Sequence, residues 1–306
     1  MNIDLSPEAR EYGAQALRAF ESAGGDALLQ RAEADPATRE SLVAPVLDEL
    51  GAWDLEPRGD TDSAEAAAAL CRSTGYWGLP YPVAERLSRA GDIDSDGLIV
   101  VAGPAPAATI AGVDGRWTTV TLDGRRAHVA GTSGTRTAFV TSLRLDALDD
   151  AGAADVALAL VLPCWTLLGM LDRAMELTIA HVTLRQQFGQ PLAGFQSVQF
   201  QLTDAEVERS GLEMLARYAL STVTGPDALA DALALRLAAL EAAEVVFRVA
   251  HQLHGAVGFC DETVLSWLSR YSQPLRRLPL GLSATRAHLT DLLGSRGLAG
   301  LYSDAT

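Results

Sequence analysis

The feature that most constrains this chain is a hydrophobic period that changes twice. Up to about residue 90, apolar residues recur at helical spacing, as in Tyr12, Ala16, Leu17 and Phe20. From about Asp92 to Ala154 the pattern becomes short β-branched runs: Leu98-Ile99-Val100-Val101, Trp117 to Leu122, His128-Val129-Ala130 and Thr137 to Thr141. Val113-Asp114-Gly115 and Leu122-Asp123-Gly124 read as the turns between them. From Val156 the helical period returns and persists. The chain is therefore expected to be mainly α with a small antiparallel β domain. Its parts are an N-terminal helical domain (1–90), a reduced β domain (91–155) and a C-terminal four-helix-type bundle domain (156–306).

Local signals refine this. Ser6-Pro7-Glu8 is a helix entry, with Ser6 as cap and Pro7 in the first turn. Further helices are expected at 39–50 and 64–72, whereas the prolines of Gly-Leu-Pro-Tyr-Pro (78–82) exclude a helix interior there. In the bundle, long helices are expected near 163–185, 195–224 and 226–255, then a shorter one and a last one near 283–295. Gly189-Gln190-Pro191 and Thr224-Gly225-Pro226 break them.

Composition excludes several functions. With 306 residues, 48% of them hydrophobic, the chain can bury a large core. Acidic side chains outnumber basic ones 39 to 24, a formal charge of −15 that opposes nucleic-acid binding. Every basic residue is Arg, so lysine Schiff-base and phosphate-loop chemistry are absent. No apolar run is read as reaching the roughly 18 residues of a membrane span, and Met1 to Tyr12 lacks a secretory apolar stretch. Cys71, Cys164 and Cys260 are far apart and odd in number, which fits neither a disulfide framework nor a metal cluster. A cytoplasmic globular protein is the expectation.

Generic catalytic motifs are missing: no glycine-rich phosphate loop, no Gly-x-Ser-x-Gly elbow, no His-Glu-x-x-His. His251 and His254 share a helix face, but the nearest preceding carboxylate, Glu244, is two turns away, so packing or capping is expected rather than a metal. Asp155 and Asp261 read as a joining-loop or cap residue and a cap residue respectively. Leu167, Leu168, Leu171, Leu177, Leu233, Leu237 and Leu240 form an apolar stripe equally suited to a core or to association.

Two segments are more specific. One is Arg185-Gln186-Gln187-Phe188-Gly189-Gln190-Pro191-Leu192, followed by Phe195-Gln196-Ser197-Val198. The other is Gln252-Leu253-His254-Gly255-Ala256-Val257-Gly258-Phe259. In each, a helix end meets a glycine-containing turn bearing Arg or Gln. Arg offers a forked donor to a pyrophosphate, Gln bonds to ribose or adenine edges, and Gly admits close backbone approach. A helix hairpin with Arg185 solvated and Gly189 as C-cap explains the same residues. On residue types alone the two readings stand level.

Both segments, their spacing and the helix–sheet–helix order resemble the acyl-CoA dehydrogenase family. Its third domain carries an Arg-x-x-Phe-Gly turn, a Gln in the next helix and a Gln-x-x-Gly-x-x-Gly-Phe turn. The resemblance covers essentially the whole chain and is strongest over 163–295. It implies oxidation of an acyl-CoA thioester to a 2-enoyl-CoA with FAD as oxidant and a Glu carboxylate as base. By position, Arg185, Gln187, Phe188, Gln196, Gln252 and Gly255 resemble the residues that hold the ADP half of FAD across a subunit interface.

The departures are as informative. Leu280, in Pro279-Leu280-Gly281-Leu282-Ser283-Ala284, stands where the family has its catalytic Glu, and Leu282 and Ala284 replace polar flavin contacts. The alternative base position of some members falls near Ala159, with Asp155 four residues short of it. Nothing in 90–125 matches the family's Thr-Glu-x-x-Ala-Gly-Ser-Asp loop. Asp123 to Gly131 keeps its flavin-shielding strand only faintly, with His128 and Ala130 in place of the aromatic and the Thr.

A conserved ADP side with a lost base and ring side resembles one subunit type of α2β2 acyl-CoA dehydrogenases that act on steroid side chains. The expectation is a subunit without catalytic residues or metal. It would complete the FAD site of a catalytic paralogue that holds a bulky acyl-CoA and hands electrons to an electron-transferring flavoprotein. Two competitors are a self-sufficient dehydrogenase with a displaced base, such as Asp155 or Asp261, and a scaffold protein without FAD.

Overall fold

The computed structural model describes residues 3–296. Helix α1 (Pro7–Ala23) begins as expected: the Ser6 hydroxyl accepts the Ala9 N–H at 3.2 Å and Pro7 occupies the first turn. Then come α2 (Ala27–Ala34), α3 (Arg39–Glu49), α4 (Thr61–Tyr76) and the short α5 (Val83–Leu87). Helices α2 and α5 lie outside the expected set, being too short for a periodic signal. Asp60 caps α4 by accepting the Ser63 N–H at 2.7 Å, which starts that helix three residues before the expected 64.

The sheet has five strands, β1 (Gly97–Val100), β2 (Ala107–Ala108), β3 (Trp117–Val120), β4 (Arg126–Thr135) and β5 (Thr141–Asp149), in the order β1-β3-β4-β5-β2. It is mixed rather than wholly antiparallel, because β1 pairs with β3 in parallel. After β1 the chain crosses to form the far edge as β2, paired with β5, then returns to β3 in the original direction. The expected strand at 137–141 is corrected too. Residues Thr137–Phe139 form the β4–β5 reversal, with Ala138 and Phe139 at φ 57° and 59°. Tertiary packing overrides their β propensity, since Phe139 lies 4.1 Å under the Arg39 guanidinium and 5.4 Å from the Tyr271 ring.

Helix α6 (Val156–Leu184) starts seven residues earlier than the sequence pattern placed it, with Pro163 inside. It is long and apolar enough to cross a membrane, contrary to the expectation, but 83% of its apolar window is buried against the rest of the chain. It is the central core helix, packed on α4 and on α7 (Gln196–Ser221) and α8 (Ala228–His254). Gly75 and Gly169 set the closeness of α4 and α6: a Cβ on Gly169 would lie 1.9 Å from the Arg72 carbonyl oxygen, and one on Gly75 1.8 Å from that of Thr166. A two-stranded hairpin, β6 (Gln186–Gln187) and β7 (Gln190–Pro191), links α6 to α7. The chain ends with α9 (Val264–Tyr271), α10 (Gln273–Arg277) and α11 (Leu282–Arg296). Leu167, Leu168, Leu171, Leu233 and Leu240 are buried in the core, so most of the apolar stripe is an intrachain one.

Candidate functional site

Helix α6 ends at Leu184, and Arg185 follows in extended conformation, its carbonyl accepting the Leu192 N–H at 2.8 Å. That bond closes the β6–β7 hairpin, so Gly189 (φ 81°) serves the hairpin turn and not the helix C-cap. Phe188 sits in the same turn at φ 52°, uncommon for a bulky side chain, and its ring is 92% exposed. Gln196 opens α7 and is exposed. Gln252 is exposed in the last turn of α8, which Gly255 ends at φ 64° and ψ −147°. Only glycine tolerates that backbone region, and a Cβ there would meet nothing within 4 Å.

The two segments meet. The rings of His181 on α6 and His254 on α8 stack at 4.3 Å with planes 21° apart. His251 instead stacks on Phe259 at 4.2 Å, so the two α8 histidines point to different partners. Burial lowers the pKa of all three imidazoles. Among the described residues, the side chains of Arg185, Gln187, Gln196 and Gln252 have no hydrogen-bond or ion-pair partner. Around them lie exposed Ile179, Leu184, Phe200, Val257 and Phe259. This end of the bundle thus presents unpaired donors and an apolar rim together.

The other candidate positions lie around the loop from α10 to α11. Arg236, buried on α8, donates to the carbonyls of Leu275 (3.3 Å), Leu278 (2.7 Å) and Leu280 (2.6 Å). Thr285 Oγ donates to the Gly281 carbonyl at 3.0 Å. The loop is thereby held, but Leu280, Leu282 and Ala284 bring it no acid or donor side chain. Ala159 is buried against Leu278 and Pro279 in a cavity of about 50 Å³. Pro163 lines the same cavity and, lacking an N–H, cannot pair with the Ala159 carbonyl. A space of that size holds a few water molecules.

Glu85 is the one carboxylate lining this cavity, and burial pushes its carboxyl up. Sequence reading missed both Glu85 and Arg236. The available signal was a charge set inside an apolar segment, the lone Arg236 of Ala-Leu-Arg-Leu-Ala and, less distinctly, Glu85 beside Arg86 in Val-Ala-Glu-Arg-Leu. An open cleft of about 460 Å³ next to the cavity, with Arg136, Arg270 and Arg277 among its lining, was missed as well. Its residues come from four separate stretches of chain.

Asp155 and Asp261 are engaged elsewhere. Asp155 is 8% exposed and pairs with Arg58 and Arg126, each at 3.3 Å, while its carboxylate makes no cap hydrogen bond to α6. Asp261 is exposed and pairs with Arg270 at 2.8 Å, and Thr263, not Asp261, occupies the cap position of α9. His128 and Ala130 lie on β4 with exposed side chains.

Residues 161–279 match the acyl-CoA dehydrogenase C-terminal domain. The chain is 26% identical over 225 residues to the 3-sulfinopropanoyl-CoA desulfinase of Paraburkholderia xenovorans, an alignment covering 70% of this chain and 55% of that protein. It spans little more than a third of two further curated relatives, both acyl-CoA dehydrogenases. Among solved structures, a Tcur3481-Tcur3483 steroid acyl-CoA dehydrogenase variant superposes with a TM-score of 0.78 at 19% identity, covering 96% of this chain and 99% of the other. The ChsE4-ChsE5 complex from Mycobacterium tuberculosis gives 0.73 at 18% identity, with 98% and 100% covered. At such identity these likenesses establish the fold, and the family-model match lies within the bundle. Residues 161–279 thus carry an acyl-CoA dehydrogenase C-terminal domain, and the chain as a whole has the acyl-CoA dehydrogenase fold.

Proposed function

We propose that this chain is a non-catalytic subunit of a cytoplasmic FAD-dependent acyl-CoA dehydrogenase, completing the FAD site of a catalytic paralogue in an α2β2 assembly. The observation that carries the reading is an asymmetry of residues. At the end of the bundle, Arg185, Gln187, Gln196 and Gln252 offer donors that nothing among the described residues uses, beside a glycine that leaves the backbone open. Neither Leu280 nor Ala159 is a base, the one carboxylate lining the cavity beside Ala159 is the buried Glu85, and that cavity of about 50 Å³ admits neither a flavin ring nor an acyl chain.

The residues therefore fit one half of FAD and not the other. Arg185 would hold the pyrophosphate with its forked donor, Gln187, Gln196 and Gln252 the ribose and adenine edges, and Gly255 would allow close backbone approach. Phe188 adds an exposed aromatic face. When bound, FAD supplies the oxidant for α,β-dehydrogenation. Base and substrate cavity belong to the partner, and the exposed apolar rim with Leu184 and Phe259 suits burial against it. Steroid side-chain or other bulky acyl-CoA is the favoured substrate class, and an electron-transferring flavoprotein the favoured acceptor. Both rest on resemblance to heteromeric relatives.

A second reading has one observation in its favour. The cleft with Arg136, Arg270 and Arg277 gives this chain a cationic opening of its own, as a self-sufficient acyl-CoA dehydrogenase would need. Purification decides between them. Alone, the chain should be colourless and inactive on acyl-CoA. Co-expressed with a full-length acyl-CoA dehydrogenase from the same genome, it should yield a complex with one FAD per heterodimer, lost in Arg185→Ala. A yellow, active homo-oligomer would overturn the proposal. A complex whose FAD content ignores Arg185→Ala would leave only a scaffold.

A further inference from the structure

In a chain with 39 acidic and 24 basic side chains, Arg185 makes no ion pair among the described residues. His181 and Arg185 are four residues apart at the end of α6 and so share a face. The His181 ring lies on that of His254 at 4.3 Å, and His254 Nδ1 is 2.8 Å from the Ala250 carbonyl. A carbonyl can only accept, so Nδ1 carries the proton and Nε2 of His254 is the free nitrogen. The charged groups facing the pair are Arg185 toward His181 and His251 on α8. The hairpin 186–191 and the turn 255–259 carry no titratable side chain.

We propose that the His181–His254 stack takes up a proton when a phosphate-bearing ligand settles against Arg185, so that an imidazolium joins the guanidinium in holding the anion. The inference rests on the proposed role of Arg185 and extends it to two residues with no assigned part in binding. In the free chain burial, His254 and Arg185 disfavour a positive charge on His181, and burial outweighs the Ala250 carbonyl in lowering the His254 pKa. A phosphate supplies the opposite charge that the chain itself lacks there, which raises them. The coupling has a definite sign: binding strengthens as pH falls through the histidine range and weakens as it rises.

The test uses the full chain labelled at the Cε1 carbon of histidine. There are five histidines, His128, His181, His251, His254 and His288, so single substitutions assign the resonances. Each is titrated by NMR between about pH 5.5 and 8.5, bracketing the ordinary imidazole range, with and without saturating ADP. Adenosine and inorganic pyrophosphate serve as separate arms. The expected result is that ADP and pyrophosphate, but not adenosine, raise the titration of His181 or His254 by about one unit. ADP should then bind about tenfold more tightly at the acidic end. His181→Phe, or His181→Asn if the first fails to fold, should abolish the pH dependence while ADP still binds at the alkaline end. If ADP binds and Arg185→Ala removes it, but neither histidine moves, the inference is wrong and the proposed function stands. If ADP does not bind at any pH, the inference is overturned, while the proposed function is decided separately by the FAD content of the co-expressed complex.

Discussion

Replacing Glu213 with Gln tests how the N-terminal helices are fastened to the bundle. The Glu213 carboxylate, on α7, accepts from Arg72 on α4 at 3.0 Å and from Arg209 and Arg217 on its own helix at 3.1 and 2.5 Å. Arg72 and Arg209 also bind Asp172 on α6, at 2.6 and 2.9 Å, so one network spans three helices. Burial alone would raise the Glu213 pKa, but the guanidiniums override it and hold the carboxyl down at about 2, from an ordinary 4.5. Full conversion at 1.36 kcal/mol per unit would give roughly 3 kcal/mol. Solvent screening of a network at the rim of the helices reduces that to about 1.5–2 kcal/mol.

The folded-state pKa lies below the unfolded one. The contribution is therefore complete above the ordinary value and disappears as pH falls from about 4.5 toward 2. Glu213→Gln should be less stable than the parent by about 1.5–2 kcal/mol at neutral pH, by urea unfolding at fixed ionic strength. Near pH 3 the gap should shrink to roughly 40% of that, because the carboxyl is then almost wholly protonated in the unfolded parent, so that folding must remove its proton. A gap unchanged between the two pH values, or absent at neutral pH, would refute the reasoning.

Further outcomes follow from the same structure. Gly169→Ala places a methyl 1.9 Å from the Arg72 carbonyl oxygen and should cost about 1–3 kcal/mol or more in thermal unfolding, through overpacking between α4 and α6. Gly211→Ala, on α7 with nothing within 4 Å of its Cβ, is the matched control and should gain about 0.5–1 kcal/mol from helix propensity. Asp155→Asn strips Arg58 and Arg126 of a buried acceptor and should lower stability by about 2–4 kcal/mol. Turnover of the assembled enzyme per folded molecule should stay unchanged, and a selective loss of turnover would make Asp155 a base after all.

Much of the architecture was legible in the residues. The two changes of period placed the sheet between the helical regions, and Ser6-Pro7 marked the start of α1 because a cap and an N-terminal proline act within one turn. The Arg185 and Gln252 segments stood out because functional turns put unusual residues next to each other in sequence. What failed was local propensity in competition with packing. The long helix expected near 163–185 starts at Val156 instead, and a buried helix with a cavity beside Pro163 accommodates that proline. Thr137 to Thr141 has strand composition, but Arg39 and Tyr271 turn its first half into a reversal.

The sequence by itself determined the order of elements, the net acidity, the absence of lysine chemistry and the missing carboxylate at positions 280 and 159. Each is a property of single residues or of short-range periodicity. Tertiary structure alone decided that Glu85 and Arg236 line one cavity, that Asp155 is locked between two arginines, and that His181 lies on His254. Those groups come from helices and strands tens of residues apart, and their chemistry depends on burial and counter-charge that exist only after the chain has folded.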